Sequence, residues 1–310
     1  MIYDITIIGA GPAGLTAAIY AGRAKMKTAV VSENVPGGQA MLTDEIENYP
    51  GFVSPVKGPE LLESMRGQAG KLEVDFKETR ADSVTREKDV FRVKTPGGEI
   101  ESLSVIVATG AAYKKLGVKG EAEFTGRGVS YCGVCDAPFF RNKEIAVVGG
   151  GDTAVYEATH LLKFCSRLHM VHRRDRLRAT KVMQDRVLKD EKAVMHWDSV
   201  VEEISGAKTV EALKLKNVKT GKTELIPLKG VFIFVGISPN AGPVKGLVDL
   251  DDKGFIMANG RLESSCKGLF ACGDIRNTPL RQISTAVGDG AIAALSAQHY
   301  VDKLKGQAYN

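Results

Sequence analysis

The stretch Ile5-Thr6-Ile7-Ile8-Gly9-Ala10-Gly11-Pro12-Ala13-Gly14 decides the fold of the first part of the chain. It begins with a short apolar run, which is typical of a buried parallel strand. A glycine-rich turn follows, and the small and apolar residues from Leu15 to about Ala24 then predict a helix. Strand, G-x-G-x-x-G turn and helix in this order are the fingerprint of a dinucleotide-binding unit.

Each glycine of this turn has a physical task in the fingerprint. Gly9 allows the tight turn, Gly11 lets a pyrophosphate approach the backbone, and Gly14 lets the helix pack close to the strand. The phosphates bind at the N-terminus of the helix, where Pro12 and Ala13 stand. The sequence therefore predicts that the segment from Gly9 to Gly14 holds the phosphates of a dinucleotide.

An acidic residue completes this first motif. A second strand is predicted from Thr28 to Ser32, and Glu33 follows it directly. In the fingerprint an acidic residue stands about 20 residues after the last glycine, where its carboxylate binds ribose hydroxyls.

Further on, alternating segments near residues 74–76, 83–84 and 90–94 predict a meander that turns at Pro96-Gly97-Gly98.

A second dinucleotide motif lies in the middle of the chain. The apolar segment Glu144–Val148 predicts a strand, and Gly149-Gly150-Gly151-Asp152-Thr153-Ala154 continues it as G-x-G-x-x-A. A helix-like segment follows, so this motif also has its expected context. The residues expected to bind a second dinucleotide here are Gly149, Gly151, Asp152, Thr153 and Ala154.

Basic residues follow the next predicted strand, Leu168–Val171. They form the segment His172-Arg173-Arg174-Asp175-Arg176-Leu177-Arg178, at a place where a carboxylate would select a free 2′-hydroxyl. Guanidinium groups instead bind a 2′-phosphate through charge-assisted hydrogen bonds, so the sequence predicts a preference for NADPH over NADH. A solvated, basic helix start is the alternative. The residues expected to bind NADPH are His172, Arg173, Arg174 and Arg178.

Between the two motifs, Cys132-Gly133-Val134-Cys135-Asp136 places a carboxylate directly after a Cys-x-x-Cys pair. A disulfide that closes so small a ring contributes only about 2 kcal/mol in the loop-entropy model. Such a pair can instead lower a thiol pKa and cycle between dithiol and disulfide, while Asp136 moves the proton. The alternative is half of a zinc site, which needs four ligands. The other cysteines, Cys165, Cys266 and Cys272, are well separated. Catalysis by Cys132, Cys135 and Asp136, with no metal, is therefore expected.

The composition is ordinary for a globular protein. The 310 residues are enough for two domains, and 44% of them are hydrophobic. The net charge of +5 is spread along the chain without an aromatic-studded basic tract, so no nucleic-acid partner is expected. No apolar run approaches about 18 residues, and no basic segment precedes the first strand, so neither a membrane span nor a signal peptide is expected. Five cysteines with one Cys-x-x-Cys pair fit a cytoplasmic protein.

Together, these motifs resemble those of the low-molecular-weight thioredoxin reductases, flavoproteins that reduce thioredoxin with NADPH. The resemblance covers essentially the whole chain and rests on the order and spacing of the motifs. Beyond the segments quoted above, its carriers are Gly37-Gly38-Gln39, Asn48-Tyr49-Pro50-Gly51, Ala108-Thr109-Gly110, Gly273-Asp274 and Arg281-Gln282. The sequence departs mildly from the pattern of this family at Gly133-Val134 and at Asp152. These departures do not indicate a different substrate.

The resemblance implies an α/β fold with two Rossmann-like three-layer nucleotide-binding domains, in which the NADPH domain is inserted into a discontinuous FAD domain. The expected ranges are 1–114 and 242–310 for the FAD-binding domain and 115–241 for the NADPH-binding domain, which carries the redox disulfide. The family also implies a homodimer whose partner is thioredoxin or a thioredoxin-like protein.

The resemblance further implies FAD at the first motif. Glu33 would bind the adenosine ribose, Asp274 the ribityl chain, and Gln282 would lie near the ring. Cys135 would be the sulfur nearer the flavin, and Asp136 the general acid. The residues expected to bind FAD are Gly9, Gly11, Pro12, Ala13, Gly14, Glu33, Gly38, Gln39, Asn48, Gly110, Asp274, Arg281 and Gln282.

The implied reaction passes a hydride from NADPH to FAD, then electrons to the Cys132–Cys135 disulfide, and finally to oxidised thioredoxin by thiol–disulfide exchange. Two rival enzymes share the fold: a flavin-dependent dithiol oxidase or reductase acting on a small molecule, and a thioredoxin reductase fed by ferredoxin. The second glycine motif and the arginine cluster argue against both, because neither rival needs an NADPH pocket. A non-catalytic FAD- or zinc-binding module would not need a redox pair between two nucleotide motifs. The sequence leaves open which redoxin is the partner and which cysteine attacks it first.

Overall fold

The computed structural model describes residues 1–43, 46 and 48–307 of the chain. The chain divides into two compact units, the first made of Met1–Ala112 with Ser238–Asn310 and the second of Tyr113–Ile237. The boundaries expected from the sequence, after residues 114 and 241, lie a few residues beyond these division points. Of the expected domain ranges, residues 44, 45, 47 and 308–310 lie outside the described residues.

The strands and helices follow one another along the chain in three groups. The first group comprises β1 (Ile2–Ile8), α1 (Pro12–Arg23), β2 (Thr28–Ser32), α2 (Gly58–Gly70), β3 (Asp75–Glu78), β4 (Ser83–Glu87), β5 (Val90–Thr95), β6 (Gly98–Val107) and β7 (Ala111–Tyr113). The second comprises α3 (Glu121–Phe124), β8 (Val129–Ser130), α4 (Gly133–Asp136), β9 (Glu144–Gly149), α5 (Asp152–Leu161), β10 (Arg167–Val171), α6 (Lys181–Leu188), β11 (Ala193–His196), β12 (Ser199–Gly206), β13 (Val210–Asn217), β14 (Thr223–Pro227) and β15 (Gly230–Phe234). The third comprises β16 (Ile237–Pro239), β17 (Leu269–Ala271) and α7 (Ile283–Leu304).

A seven-stranded sheet forms the centre of the first unit. Its strand order is β3-β2-β1-β6-β5-β4, and β17 pairs with the C-terminal part of β6. Side chains that alternate along the central strands reach two separate cores. Ile5 and Ile7 of β1 pack with α1 and α7, whereas Ile8 packs on the other face with Val105 and Val107 of β6. The sheet is therefore buried on both faces, which explains its continuous apolar runs.

The structure corrects the sequence prediction at one edge of this sheet. The pattern near residues 74–76 predicts a strand of the same meander as residues 83–84 and 90–94. Instead β3 pairs parallel with β2, and only β4, β5 and β6 form the antiparallel meander. Alternation along a strand reports which side chains are buried but not which neighbour the strand pairs with, so the prediction joined three similar segments into one.

The second unit repeats this plan. Its five-stranded parallel sheet has the order β11-β10-β9-β15-β8, and β12, β13 and β14 form a separate antiparallel sheet. Ile145 and Val147 of β9 pack in the core that α5 and α6 help to form, whereas Ala146 and Val148 pack in the core that contains residues of β12, β13 and β14. The predicted fold class, two Rossmann-like α/β units of which one is inserted into the other, is confirmed.

Both units place a glycine-rich turn at the carboxyl end of a central strand. Gly9 follows β1, Gly149 ends β9, and a helix begins within a few residues of each. In open α/β sheets, ligands bind at this edge.

Among the helices in the described part of the chain, none is both long and apolar enough to cross a membrane.

Candidate functional site

The first glycine turn combines two positions fixed by packing with one that has room. Gly9 has φ +110°, and a Cβ there would lie 2.3 Å from the Ala108 carbonyl oxygen. A Cβ on Gly14 would lie 1.9 Å from the Gly9 carbonyl oxygen, so α1 could not pack as closely on the turn. A Cβ on Gly11 would meet nothing nearer than 3.6 Å. Packing within the chain therefore requires glycine at positions 9 and 14, while Gly11 leaves space for a ligand.

Residues from distant parts of the chain contact this turn or each other. The Gly37 amide donates to the Ala10 carbonyl over 3.0 Å, and a Cβ on Gly38 would lie 3.4 Å from the Gly11 Cα. Asn48 Nδ2 donates to Gln282 Oε1 over 3.1 Å, although 234 positions separate them. The fold thus places Gly38 next to Gly11 and brings Asn48 together with Gln282.

The loop that carries Asp274 packs against the first turn of α1. Gly273 has φ +75°, and a Cβ there would lie 2.9 Å from the Ala13 Cβ. Asp289 accepts a hydrogen bond from the Gly273 amide over 3.0 Å and forms a largely buried ion pair with Arg276 at 2.6 Å. Burial raises the pKa of Asp274 above its ordinary range. Sequence reasoning missed Arg276 and Asp289 because no motif marks the ion pair that holds this loop.

Three further predicted residues lie on the same unit. Glu33 is exposed directly after β2, and Gly110, with φ +66°, follows β6. Because β2, β1 and β6 are parallel neighbours, their carboxyl ends meet at one edge of the sheet. Arg281 Nε donates to the Asp274 carbonyl over 3.4 Å, and its guanidinium lies 4.1 Å from the ring centre of Phe255.

The second glycine turn is covered by the basic segment that follows β10. A Cβ on Gly149 would lie 2.7 Å from the Ala154 Cβ, and one on Gly150 would lie 2.3 Å from the His172 ring. The Arg178 amide donates to the Gly150 carbonyl over 2.7 Å. Asp152 Oδ1 accepts from the Thr180 amide over 3.0 Å, while Thr153 is exposed. The structure therefore joins the predicted turn and the predicted arginine segment.

His172 is a buried imidazole at this junction. Its Nε2 is enclosed and has no hydrogen-bond partner among the described residues. Burial lowers the pKa of His172, and the charges of Arg178, Arg174 and Arg173 lower it further. A backbone hydrogen bond with Gly149 opposes this shift, so the balance favours the neutral ring.

An open hollow of about 460 Å³ lies beside this segment. Its lining is dominated by charged side chains and consists of Arg173, Arg174, Asp175, Arg176, Leu177, Arg178, Asp198, Val218 and Lys219. Lys219 Nζ lies 2.9 Å from Asp198 Oδ2. Sequence reasoning missed Asp198 and Lys219 because they come from the turns after β11 and β13, far from any nucleotide motif.

The two cysteines of the Cys-x-x-Cys segment form a disulfide, with their Cα atoms 5.3 Å apart. Cys132 caps α4, and its Sγ accepts a hydrogen bond from the Cys135 amide over 3.2 Å. Asp136 is half-buried, and its amide donates to the Cys132 carbonyl over 3.3 Å. Val134, inside the loop, and Phe139, just beyond it, are 37% and 38% exposed. The disulfide thus lies in a short helical turn with apolar side chains at the surface beside it.

The other three cysteines lie apart from this pair and carry no disulfide. Cys165 and Cys272 are buried, and Cys266 is half-buried. Burial raises the pKa of Cys165 to about 11 and also raises that of Cys272. Cys272 belongs to the core of the first unit, as its apolar strand predicts. Within the residues that the structure describes, no cluster of His, Cys, Asp and Glu side chains could hold a metal ion.

A family model described as pyridine nucleotide-disulphide oxidoreductase matches residues 3–290. The chain is 46% identical over 306 residues to the thioredoxin reductase of Listeria monocytogenes, covering 98% of this chain and 95% of the relative. It is also 46% identical over 305 residues to the thioredoxin reductase of Bacillus subtilis, covering 98% of this chain and 96% of the relative.

Two solved structures extend this similarity to three dimensions. That of thioredoxin reductase from Streptococcus pyogenes has a TM-score of 0.93 at 46% identity and covers 97% of this chain and 99% of its own. That of thioredoxin reductase from Giardia duodenalis has a TM-score of 0.90 at 36% identity and covers 96% of this chain and 98% of its own. The similarity therefore includes both units and the disulfide segment, not a nucleotide motif alone.

Proposed function

Because the chain belongs to the pyridine nucleotide-disulphide oxidoreductase family and, within it, to the thioredoxin reductases, we propose that it uses NADPH and FAD to reduce the disulfide of thioredoxin or a thioredoxin-like protein. The observation that carries the proposal is the Cys132–Cys135 disulfide. It lies in the same unit as a dinucleotide-type glycine turn and a basic hollow. A purely structural disulfide would not need a dinucleotide-type glycine turn and a basic hollow in the same unit.

The first unit fits FAD. Gly11 leaves room at the start of α1, where unpaired amides attract phosphate, and the exposed Glu33 at the same sheet edge suits ribose hydroxyls. The Asn48–Gln282 hydrogen bond and the anchored Asp274 loop support a common site for these residues. The residues proposed to hold FAD are Gly9, Gly11, Pro12, Ala13, Gly14, Glu33, Gly38, Gln39, Asn48, Gly110, Asp274, Arg281 and Gln282.

The second unit fits NADPH. The hollow carries five basic side chains and two acidic ones, so its net charge suits a phosphate group. The residues proposed to hold the pyrophosphate are Gly149, Gly151, Asp152, Thr153 and Ala154. Those proposed to hold the 2′-phosphate are His172, Arg173, Arg174 and Arg178.

The chemistry that bound FAD supplies is the conversion of a hydride from NADPH into two electrons for a disulfide. The chain's own part is performed by Cys132, Cys135 and Asp136. Two electrons and two protons convert the Cys132–Cys135 disulfide into two thiols. One thiolate then attacks the partner's disulfide, and the second thiol resolves the mixed disulfide, which restores Cys132–Cys135 and releases the partner as a dithiol. Asp136 moves the protons. The Cys135 amide that now donates to Cys132 Sγ is placed to stabilise a thiolate there.

A protein partner is favoured over a small molecule by the surface around the disulfide. Val134 and Phe139 expose apolar side chains within a few residues of the cysteines. A docked protein would cover these side chains, whereas a small disulfide substrate would leave them largely in water.

Replacing Arg174 with glutamine is expected to weaken NADPH specifically. The change removes one charge-assisted hydrogen bond to the 2′-phosphate, which contributes roughly 1.5–3 kcal/mol. The KM for NADPH should therefore rise about ten- to a hundredfold, while the KM for NADH should stay nearly unchanged. Steady-state kinetics with each nucleotide measures both values.

Arg186→Gln provides the matched control, because Arg186 is exposed on α6 in the same unit and is not part of the hollow. It should leave both KM values unchanged. Equal use of NADPH and NADH by the unmutated chain, or equal losses for both in Arg174→Gln, would refute the assignment of the arginines.

The proposal includes a homodimer in the cytoplasm. Exposed apolar side chains occur on two helices of the first unit that pack together, with Tyr20 on α1 and Ile292 and Leu295 on α7. A partner subunit could cover them. Cys165, Cys266 and Cys272 remain thiols, as is usual in a reducing compartment. The mass of the purified chain in solution tests the dimer.

The experiment that tests the function combines cofactor content with a panel of substrates. The purified chain should be yellow, with about one FAD per chain, and should reduce thioredoxins with NADPH. Small dithiols and disulfides test the first rival enzyme, and reduced ferredoxin tests the second. A folded chain that takes up no FAD, or one that turns over only small molecules, would overturn the proposal.

A further inference from the structure

Glu157 lies directly beneath the disulfide segment. It belongs to α5, whose residues Ala154, Val155 and Ala158 are buried in the core of the second unit. α4 packs against α5, and Gly133 lies at this contact. A Cβ on Gly133 would lie 2.3 Å from Glu157 Oε2 and 3.3 Å from its Cδ. The carboxylate therefore occupies the space that a side chain at position 133 would need.

The Glu157 side chain as a whole is half-buried. Its Oε2 is buried and has no hydrogen-bond partner among the described residues. The amides of Val134 and Gly133 approach closely enough to favour the ionised form, but neither gives Oε2 a hydrogen bond of normal geometry. Enclosing a carboxylate in this way is costly. The two amides offset part of this cost only for an ionised group, so the position suits a carboxylate that faces the disulfide loop.

The electrostatic environment of Glu157 is dominated by burial. Burial raises its pKa, and the two amides of the disulfide loop oppose that shift. The elements packed against α5 carry other titratable or charged groups, which are Cys132, Cys135 and Asp136 around α4, Lys181, Asp185 and Arg186 on α6, Glu144 on β9, and Arg167 and His169 on β10. None of these forms an ion pair with Glu157 in the described part of the chain. The cysteine pair is therefore the reactive group next to which this carboxylate is held.

We propose that Glu157 is a positioning residue for the redox pair. Its carboxylate fixes the turn between Cys132 and Cys135, and its charge opposes the build-up of negative charge on the reduced pair. The inference deepens the proposed function, because it assigns control of the same disulfide to a residue outside every sequence motif.

The proposal follows from the charge balance of the half-reaction. The disulfide is neutral, and two electrons with two protons give two neutral thiols. Loss of one proton then leaves a thiolate in the loop that the carboxylate contacts, and nearby like charges disfavour each other. Glu157 and the more acidic thiol therefore titrate as a coupled pair. An ionised Glu157 therefore favours the disulfide over the thiolate form, and its charge raises the pKa of the thiol.

Glu157→Gln removes the charge while keeping the size of the side chain. The full chain with its bound cofactor is equilibrated without oxygen in mixtures of reduced and oxidised dithiothreitol and then alkylated. The tryptic peptide Gly128–Arg141 contains both redox cysteines and excludes Cys165, Cys266 and Cys272. Its mass reports the dithiol fraction, and its alkylation rate as a function of pH reports the thiol titration.

We expect two changes in Glu157→Gln. The midpoint of the alkylation profile should fall by about one pH unit, the order typical of a close charge pair. Above that midpoint, the equilibrium with dithiothreitol should move toward the dithiol by about tenfold for each pH unit by which the midpoint falls. A residue that only filled space would change neither quantity when replaced by an amide of the same size.

Three variants separate charge from packing. Glu211→Gln is the matched control, because Glu211 is an exposed carboxylate on β13 of the same unit, and it should shift nothing. Glu157→Asp retains the charge and should restore a profile near that of the unmutated chain. Gly133→Ala should displace the carboxylate from the loop and reproduce the direction of the Glu157→Gln shift even if the glutamine variant folds poorly.

The proposal is overturned if Glu157→Gln and Gly133→Ala give the same midpoint and the same dithiol fraction as Glu211→Gln. It is also overturned if Glu157→Asp shifts as far as Glu157→Gln, because the charge would then be irrelevant. Neither readout requires NADPH or thioredoxin. A chain that failed to reduce thioredoxin would therefore contradict the proposed function while still reporting on Glu157.

Discussion

Replacing Cys132 or Cys135 with serine is expected to abolish reduction of thioredoxin while leaving reduction of the flavin by NADPH intact. The disulfide between the two residues is the only one among the described residues, and a serine hydroxyl can neither form it nor attack as a thiolate. Turnover should fall by at least about 10³-fold, the order seen when a covalent nucleophile is removed. Rapid mixing with NADPH should still bleach the flavin at nearly the unmutated rate, because that step needs only the two nucleotide sites.

One of the two serine variants should also trap the partner. The remaining thiolate can attack a thioredoxin that lacks its resolving cysteine, and no second thiol is left to release it. The variant that accumulates this mixed disulfide identifies the cysteine that attacks first. Cys266→Ser is the control, because Cys266 is a half-buried free thiol in the other unit, and it should retain activity. Full thioredoxin reduction by either Cys132→Ser or Cys135→Ser would show that the pair does not carry the electrons.

The fold could be predicted from the sequence wherever the pattern is local. The runs at β1, β2, β9, β10 and β15 are apolar because both sheet faces are covered, and each predicted strand lies within or close to an observed one. The position of β3 beside β2 could not be predicted, because alternation does not encode the pairing neighbour. The antiparallel sheet of β12, β13 and β14 was not predicted either. Its core face includes Leu213 and Leu215, but its outer face carries the lysines and glutamates of an exposed surface.

The residues of the candidate sites also fall into two classes, those that belong to a contiguous motif and those that distant elements bring to the site. The glycine turns, the cysteine pair and the arginine segment are each contiguous in sequence, so their spacing indicates their chemistry. The residues that support them come from elsewhere: Asp289 reaches the Asp274 loop from α7, Lys219 reaches the basic hollow from a hairpin turn, and Glu157 reaches Gly133 in the disulfide loop from α5. Nothing local distinguishes these side chains from ordinary surface charges. Only the tertiary contacts, above all the burial of Oε2 of Glu157, set them apart.

Asp136→Asn is expected to slow the disulfide half of the cycle by roughly 10²–10⁴-fold, the usual contribution of a positioned general acid. Asp136 ends α4 directly after Cys135 and is half-buried, so its carboxylate belongs to the same short turn as both sulfurs. An amide of the same size keeps the shape of the turn but can neither accept nor deliver the proton that each thiol step requires. Steady-state reduction of thioredoxin should show the loss, and bleaching of the flavin by NADPH should not.

The control for this change is Asp252→Asn, an exposed aspartate of the first unit, which should leave both half-reactions unaltered. The two carboxylates beside the disulfide should then differ in what they alter. Loss of Asp136 should chiefly lower the rate at which the equilibrium between disulfide and dithiol is reached, since a proton carrier speeds both directions equally. Loss of the Glu157 charge should move that equilibrium and the thiol titration. If Asp136→Asn instead shifts the equilibrium with dithiothreitol and spares the rate, Asp136 stabilises one redox state and another group carries the proton.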